Sequence, residues 1–330
     1  MSKDKLSVSV LIDSYNYGHY IEETIESVFS QTYPQEKIEI IVVDDGSSDD
    51  TSQRLEKYKD RIKFIEKENG GQASAFNTAF QHSIGDIVFL LDSDDIFYPD
   101  KIQEVCDTYE KHNCLCVFNL VELFGEHIDK QISSTTEYFL QFINKLDENL
   151  YKLSVADNFS SFLFMAETSG QSFKRELLEK IMPIPEEFIG SADLYLHVLP
   201  LIYDDIYFIN KRLNGFRQHH ESYRAVNYNN NSELKDIDTN FYQYTINSLQ
   251  KYNDKNSKYL IKSLENRINY INYYMEKKSG NKLKSFCHLL KYKASQKSVI
   301  KRSIRKIDYI LDLLIPEEVY QSLKNYSKTY

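Results

Sequence analysis

The stretch "GDIVFLLDSDD", residues Gly85 to Asp95, decides how the front of this chain must be read. Ile87 to Leu91 form an unbroken apolar run with no alternation, as in a strand covered on both faces. The run ends in three carboxylates, Asp92, Asp94 and Asp95. Packed together they repel, and burial raises their pKa values. Something positive must compensate for them.

The same design recurs on either side. "VSVLI" (Val8 to Ile12), "IEIIVVDD" (Ile38 to Asp45) and "IKFIE" (Ile62 to Glu66) read as further strands. Helical spacing is seen in Tyr20–Gln31, Ser48–Tyr58, Gly70–Ser83 and Asp100–His112, and "CLCVFN" (Cys114 to Asn119) reads as one more strand. Strands alternating with helices of about a dozen residues predict right-handed crossovers and a mainly parallel sheet. Such sheets bind ligands beyond the carboxyl ends of their strands. The polar residues sit at those ends: "DSYN" (Asp13 to Asn16), "DDGSSDD" (Asp44 to Asp50), "ENGGQ" (Glu68 to Gln72) and "DSDD".

From about 120 to 165 the pattern is weak. "TSGQSFKRELLEKI" (Thr168 to Ile181) reads as a strand end or loop entering a helix, "IGSADLYLHVLPLI" (Ile189 to Ile202) as a helix after a small-residue loop, and Ile206 to His219 as strand and turn. "NYNNNSE" from Asn227 reads as a linker, and the last hundred residues read as helices. Residues 1–226 are therefore expected to form one α/β domain and 227–330 a helical extension.

The bulk composition narrows the function classes. The 330 residues carry 40 Lys+Arg against 49 Asp+Glu, a formal −9, which argues against general nucleic-acid binding. The start lacks the apolar run and cleavage site of a signal peptide, and no apolar stretch approaches 18 residues. Cys106, Cys114, Cys116 and Cys287 have no C-x-x-C spacing. A reduced, cytoplasmic setting is expected.

Two aspartates in a D-x-D arrangement aim oxygens at one point, where Mg²⁺ or Mn²⁺ binds and leaves positions open for substrate phosphates. The cation would also stabilise a departing diphosphate. D-x-D alone is common by chance. It gains weight from its place at a strand end, and from "VSVLIDSYNYGHYIEETIESVFSQTYP", "IIVVDDGSSDDT", "ENGGQASAFNTAF" and "GDIVFLLDSDDIFYPDKI". On these stretches the first hundred residues resemble family 2 glycosyltransferases, with a thinner match to about residue 224.

The resemblance implies an α/β GT-A fold: a mainly parallel, Rossmann-like sheet flanked by helices, here with a helical C-terminal region. It implies an inverting hexosyltransferase that takes a nucleotide sugar, UDP-linked in the first instance, with Mn²⁺ or Mg²⁺ as cofactor. Tyr15 would lie near the base or ribose, with Asp13 beside it, where the family more often has Pro or Thr. Asp45 would accept from the base, Asp44 would support that loop, and Gly71 and Gln72 would line the nucleotide pocket. Asp92 and Asp94 match the D-x-D, touching ribose and metal, and Asp95 is a further candidate ligand. Asp193, in "GSADLYL", takes the place of the base that deprotonates the acceptor hydroxyl, although Ala192 stands where the family usually has Glu. A helix-start Asp is also favoured for capping alone. Asp204 and Asp205 fit a turn better. His219 matches a histidine that contributes to metal or diphosphate binding, and Arg217 could contact phosphate. "TSGQSF" (Thr168 to Phe173) would line the acceptor side.

Between 277 and 307 there are eleven Lys/Arg and no acid, interleaved with apolar residues. Such helices lie on anionic membrane surfaces. That would suit a lipid-linked acceptor at the inner face of the membrane. Packing on the catalytic domain, or a contact between copies of the chain, are the alternatives. The implied acceptor is a saccharide or lipid-linked sugar in surface polysaccharide synthesis. Two rival readings remain. One is a catalytically silent nucleotide-sugar-binding module, supported by Ala192. The other is a metal-dependent nucleotidyltransferase, which would usually carry a glycine-rich, basic loop after strand one; "DSYNYGHYIEE" lacks it.

Overall fold

The apolar runs of the first ninety residues form one half of a sheet that has nine strands among the described residues. The computed structural model describes residues 5–125, 150–153, 167–190, 192–221 and 233–278. Strands β1 (Val8–Ser14), β2 (Ile38–Asp44), β3 (Lys63–Glu66) and β4 (Ile87–Asp92) are mutually parallel, in the order β3-β2-β1-β4. Val8, Val10, Ile12, Val42, Phe89 and Leu91 share one buried cluster. Burying each such side chain contributes roughly 1.5–3 kcal/mol. Helices α1 (Gly18–Phe29), α2 (Thr51–Leu55), α3 (Gly71–Gln81) and α4 (Lys101–Lys111) complete this half.

Beyond β4 the sheet becomes mixed. A short strand β5 (Ile96–Phe97) follows the acidic turn. Strand β6 runs from Cys116 to Gly125, well past the Asn119 expected as its end. The weak pattern after 120 thus hides strand, because Leu120 to Gly125 pair with a distant partner. The partner is the thirteen-residue β9 (Ile206–Gln218), which lies parallel to β6 with a register shift around Leu120. Strand β7 (Leu150–Leu153) pairs antiparallel with β9. Strand β8 (Gln171–Lys174) joins β4 to β6, antiparallel to both. Helices α5 (Arg175–Ile181) and α6 (Ala192–Val198) follow from the two segments read as helical.

The C-terminal helices are α7 (Glu233–Leu249) and α8 (Lys255–Lys278). Met1–Glu265 group into one compact unit and Asn266–Tyr330 into a second, and α7 belongs to the first. The physical reason is apolar burial by α7. Phe241, Tyr242 and Ile246 are buried, and the Phe241 ring stacks on Phe188 at 5.6 Å. No helix among the described residues is long and apolar enough to cross a membrane. All of the basic stretch beyond Lys278 lies outside the described residues.

Candidate active site

Register builds the site. In the parallel pair β1–β4, Asp13 stands opposite Asp92. The side chains that end two different strands therefore meet, and the two carboxyls hydrogen-bond each other. Burial pushes the Asp13 carboxyl up to about 7, and the charges of Asp94 and Asp45 add to this against the lowering effect of the Asp92 bond. Burial also raises Asp92 well above the usual carboxylate range, followed by the charges of Asp13, Asp95, Asp94 and Asp193. Asp13 Oδ1 is buried with no hydrogen-bond partner. Such a group is costly to leave unmet unless something enters to meet it.

The acidic turn itself is held from three other elements. The Thr24 hydroxyl of α1 lies 2.8 Å from the carbonyls of both Ser93 and Asp95. The Arg217 N–H donates to Asp95 Oδ1 at 2.8 Å, and its Nε donates to the Asp94 carbonyl at 2.7 Å. The Ser169 hydroxyl donates to Asp95 Oδ2 at 2.5 Å and accepts from Asp92 N–H at 3.1 Å. Ser169 sits in a 3-10 turn, Thr168–Gly170, that leads into β8.

Oxygens of Asp92, Asp94 and Asp95 lie within 4.8 Å of one another. His219 Nε2 is 2.9 Å from Asp94 Oδ2. Hard oxygens with one imidazole suit Mn²⁺ or Mg²⁺. The orphaned Asp13 oxygen and the raised carboxylates fit a cation there as well. Asp92 and Asp94 face the pocket. Asp95 is fully buried behind them and both of its oxygens are already engaged. Burial raises its pKa too, followed by the Asp94 charge.

A pocket of about 800 Å³ opens in front of the turn. Asp13, Tyr15, Asp45, Gly71, Gln72, Asp92, Asp94 and Asp193 all line it. The fold thus brings eight residues from five separated stretches to one pocket. Asp44, Asp95, Arg217 and His219 stand behind the lining. Asp44 is buried and accepts from Ser47 N–H, which shapes the loop after β2. The Arg217 guanidinium pairs with Glu23 at 2.6 Å. The His219 ring packs on Tyr17 and Tyr20 of the α1 start.

Asp45 accepts from Gly70 and Gly71 N–H and from Lys67 Nζ, the last at 2.6 Å. A carboxylate has about four lone-pair sites, so these donors leave little spare capacity for a base. Gly71 has φ +83°, and a Cβ there would meet Ile189 Cα at 2.8 Å. Its lack of a side chain admits the Ile189–Gly190 loop that precedes Asp193.

Gln72 does more than line the pocket. Its Nε2 donates to Asp92 Oδ1 at 3.0 Å, and its Oε1 accepts from Ala192 N–H at 3.0 Å. One amide therefore ties the D-x-D to the helix start that carries Asp193. Ala192 is fully buried there. Downstream on α6, His197 Nδ1 is 2.9 Å from the Asp193 carbonyl, and burial pushes its imidazole down to about 4. Asp204 and Asp205 lie at the turn before β9, where Asp204 accepts from Leu115 N–H and Asp205 pairs with Lys152.

Sequence reasoning missed Lys101, Asn119 and Asn214, and read Ser169 only as part of the acceptor-side stretch Thr168 to Phe173. Lys101 is 1% exposed. Its Nζ donates to Asn119 Oδ1 (2.5 Å), the Ser169 carbonyl (2.8 Å) and Asn214 Oδ1 (3.2 Å). Burial drives the amine pKa well down while the Asp95 charge draws it back up. Three oxygen acceptors use three N–H donors, which only the ammonium has. A signal was present: Lys101 shares the helical spacing of Val105, Thr108 and Tyr109, the buried face of α4.

Comparison with known proteins fits this geometry. The sequence pattern of Glycosyl transferase family 2 matches residues 9–178. An uncharacterized glycosyltransferase, alr2836 of Nostoc sp., is 34% identical over 183 residues, 54% of this chain and 54% of that protein. The putative teichuronic acid biosynthesis glycosyltransferase TuaG of Bacillus subtilis is 37% identical over 139 residues, 40% of this chain and 54% of that protein. The chain thus spans about half the length of these curated relatives. Among solved structures, S. aureus TarS 1–349 in complex with UDP-GlcNAc superposes with a TM-score of 0.64 at 17% identity, covering 92% of this chain and 83% of that one. The mannosyltransferase PcManGT from Pyrobaculum calidifontis, in complex with GDP-Man and Mn²⁺, gives 0.57 at 16% identity, covering 97% and 84%. These likenesses show the fold. With more than half of its length matched by the family pattern, the chain belongs to glycosyltransferase family 2.

Proposed function

We propose that this chain is an inverting glycosyltransferase that moves a sugar from a UDP-linked donor to a saccharide or lipid-linked acceptor. The observation that carries this reading is the placement of Asp193 across one pocket from the Asp13–Asp92–Asp94 cluster, with Gln72 bridging the two sides. Family membership supports the reaction type. The UDP-GlcNAc in TarS and the GDP-Man with Mn²⁺ in PcManGT support a nucleotide-sugar donor and a divalent metal. The names of TuaG and of TarS, a poly(ribitol-phosphate) beta-N-acetylglucosaminyltransferase, support a setting in surface polymer synthesis.

In this reading Asp193 takes the proton from the acceptor hydroxyl as its oxygen attacks the anomeric carbon. The bond to the diphosphate breaks on the opposite face, and the electron pair leaves with the nucleotide. Asp92, Asp94 and His219 would hold Mn²⁺ or Mg²⁺, with Asp95 behind them. When bound, the cation neutralises the charge of the departing diphosphate. Asp45, Gly71 and Tyr15 form the nucleotide end, and Thr168 lines the acceptor side. An α-linked donor would yield a β bond.

The first test is calorimetric titration of UDP, GDP, dTDP and CDP, with Mn²⁺ and with EDTA. Metal-dependent binding of UDP above the others is expected. Binding of none would overturn the reading. Slow hydrolysis of UDP-sugar without acceptor separates an active enzyme from the silent module that Ala192 raises.

A further inference from the structure

Lysine is rarely taken fully out of water without partners. It is also disfavoured in the first turn of a helix, where the dipole is positive. Lys101 meets both conditions in α4. Its Nζ reaches three separate elements: Asn119 of β6, Ser169 of the 3-10 turn and Asn214 of β9. Asn119 Nδ2 donates to Asn214 Oδ1 at 2.7 Å, which closes the network. The ammonium also lies 4.6 Å from the Phe97 ring centroid, on the strand just after the acidic turn. Ser169 gives Lys101 its carbonyl. With its hydroxyl it donates to Asp95 and receives Asp92 N–H. One residue therefore separates a buried cation from two of the aspartates.

We propose that Lys101 is a positioning residue, a fixed internal cation that holds Ser169 and through it fixes the Asp92 backbone at the divalent-cation site and the Asp95 carboxylate behind it. This rests on the metal-dependent reading above. Lys101 touches neither donor nor metal. It acts as an outer-shell partner, and such partners typically alter metal affinity 10–100-fold.

The test uses the full chain and three variants: Lys101→Met, Ser169→Ala and the double variant. Thermal unfolding checks the fold. Mn²⁺ affinity is read by calorimetry with saturating UDP, and by electron paramagnetic resonance with Mn²⁺ alone. Each single variant is expected to weaken Mn²⁺ binding about tenfold. The double variant should be no weaker than the worse single by more than about twofold, because the lysine acts through the serine. A folded Lys101→Met that keeps Mn²⁺ affinity within about twofold of the parent overturns the proposal, as do fully additive losses. Should Lys101→Met fail to fold, Ser169→Ala decides alone: a tenfold loss supports the link and unchanged affinity overturns it. A parent protein that binds no Mn²⁺ in either assay overturns the functional reading itself, which is a different result from a parent that binds and variants that do not differ.

Discussion

The parallel half of the sheet and the mixed half contribute opposite things to one site. Strands β1, β2 and β4 deliver Asp13, Asp45, Asp92 and the turn with Asp94 and Asp95. The mixed half delivers the groups that hold or face them: Ser169 before β8, Arg217 and His219 at the end of β9, and Asp193 on α6. Partners such as His219 and Asp94 are 125 residues apart in the chain. Negative charge accumulates locally, at the ends of short apolar strands. Its compensation comes from far along the chain, because only a folded sheet brings those residues to the same edge.

Breaking the two halves at their meeting point should have the largest effect. Asp94→Ala removes the pocket carboxylate that also holds His219. Turnover should fall about 10³-fold or more, together with Mn²⁺-dependent UDP binding. Because one repelling charge is gone, the melting temperature should hold. Full activity in a steady-state assay would sink the metal reading.

Asp193→Asn tests the mixed half alone. It should lower kcat about 10²–10⁴-fold while leaving UDP affinity unchanged, as measured by calorimetry beside the kinetics. An equal loss in UDP binding would reassign Asp193 to donor recognition.

Gln72→Ala cuts the bridge between the halves. A drop of about tenfold is expected in both Mn²⁺·UDP affinity and kcat, since one amide orients Asp92 and the Asp193 helix together. Loss in only one of the two readouts would show that the bridge is not shared.

How far these features were legible in sequence varies by residue. The aspartates could be read directly, because apolar runs ending in carboxylates are a local pattern. Strand β6 was cut short at Asn119, because Leu120 to Gly125 acquire strand pairing only from β9, some ninety residues later. Gln72 looked like a pocket residue, and its second bond, to Ala192 N–H 120 residues away, has no local signature. Lys101 was not singled out in the sequence, although its helical phase placed it among core residues.

The smallest expected effect concerns the metal-free protein and pH. The folded-state pKa of Asp13, about 7, lies above its ordinary 3.8. The folded state thus keeps a proton that the unfolded state has lost. The stability this group contributes is complete below about pH 4 and is lost as pH rises through 7. In EDTA, the melting temperature of the parent should fall by a few degrees relative to Asp13→Asn between pH 5.5 and 8. His197, held near 4, opposes this below its ordinary 6.5, so the difference between the two proteins is the quantity to read. Parallel curves would show that Asp13 and Asp92 do not share a proton. Added Mn²⁺ should flatten the parent's curve.

By itself, the sequence determined the parallel strands, their acidic ends, and the family to which these residues point. Those features depend on neighbours in the chain: apolar runs, helical spacing and turn chemistry. The tertiary structure decided that Asp13 faces Asp92, that Gln72 joins two sides of one pocket, that α7 packs on the Phe188 loop, and that a buried lysine lies beneath the aspartates. Each of these is a matter of strand register or of packing between distant elements. Register is set by the whole set of buried faces at once, so no short stretch of sequence can carry it.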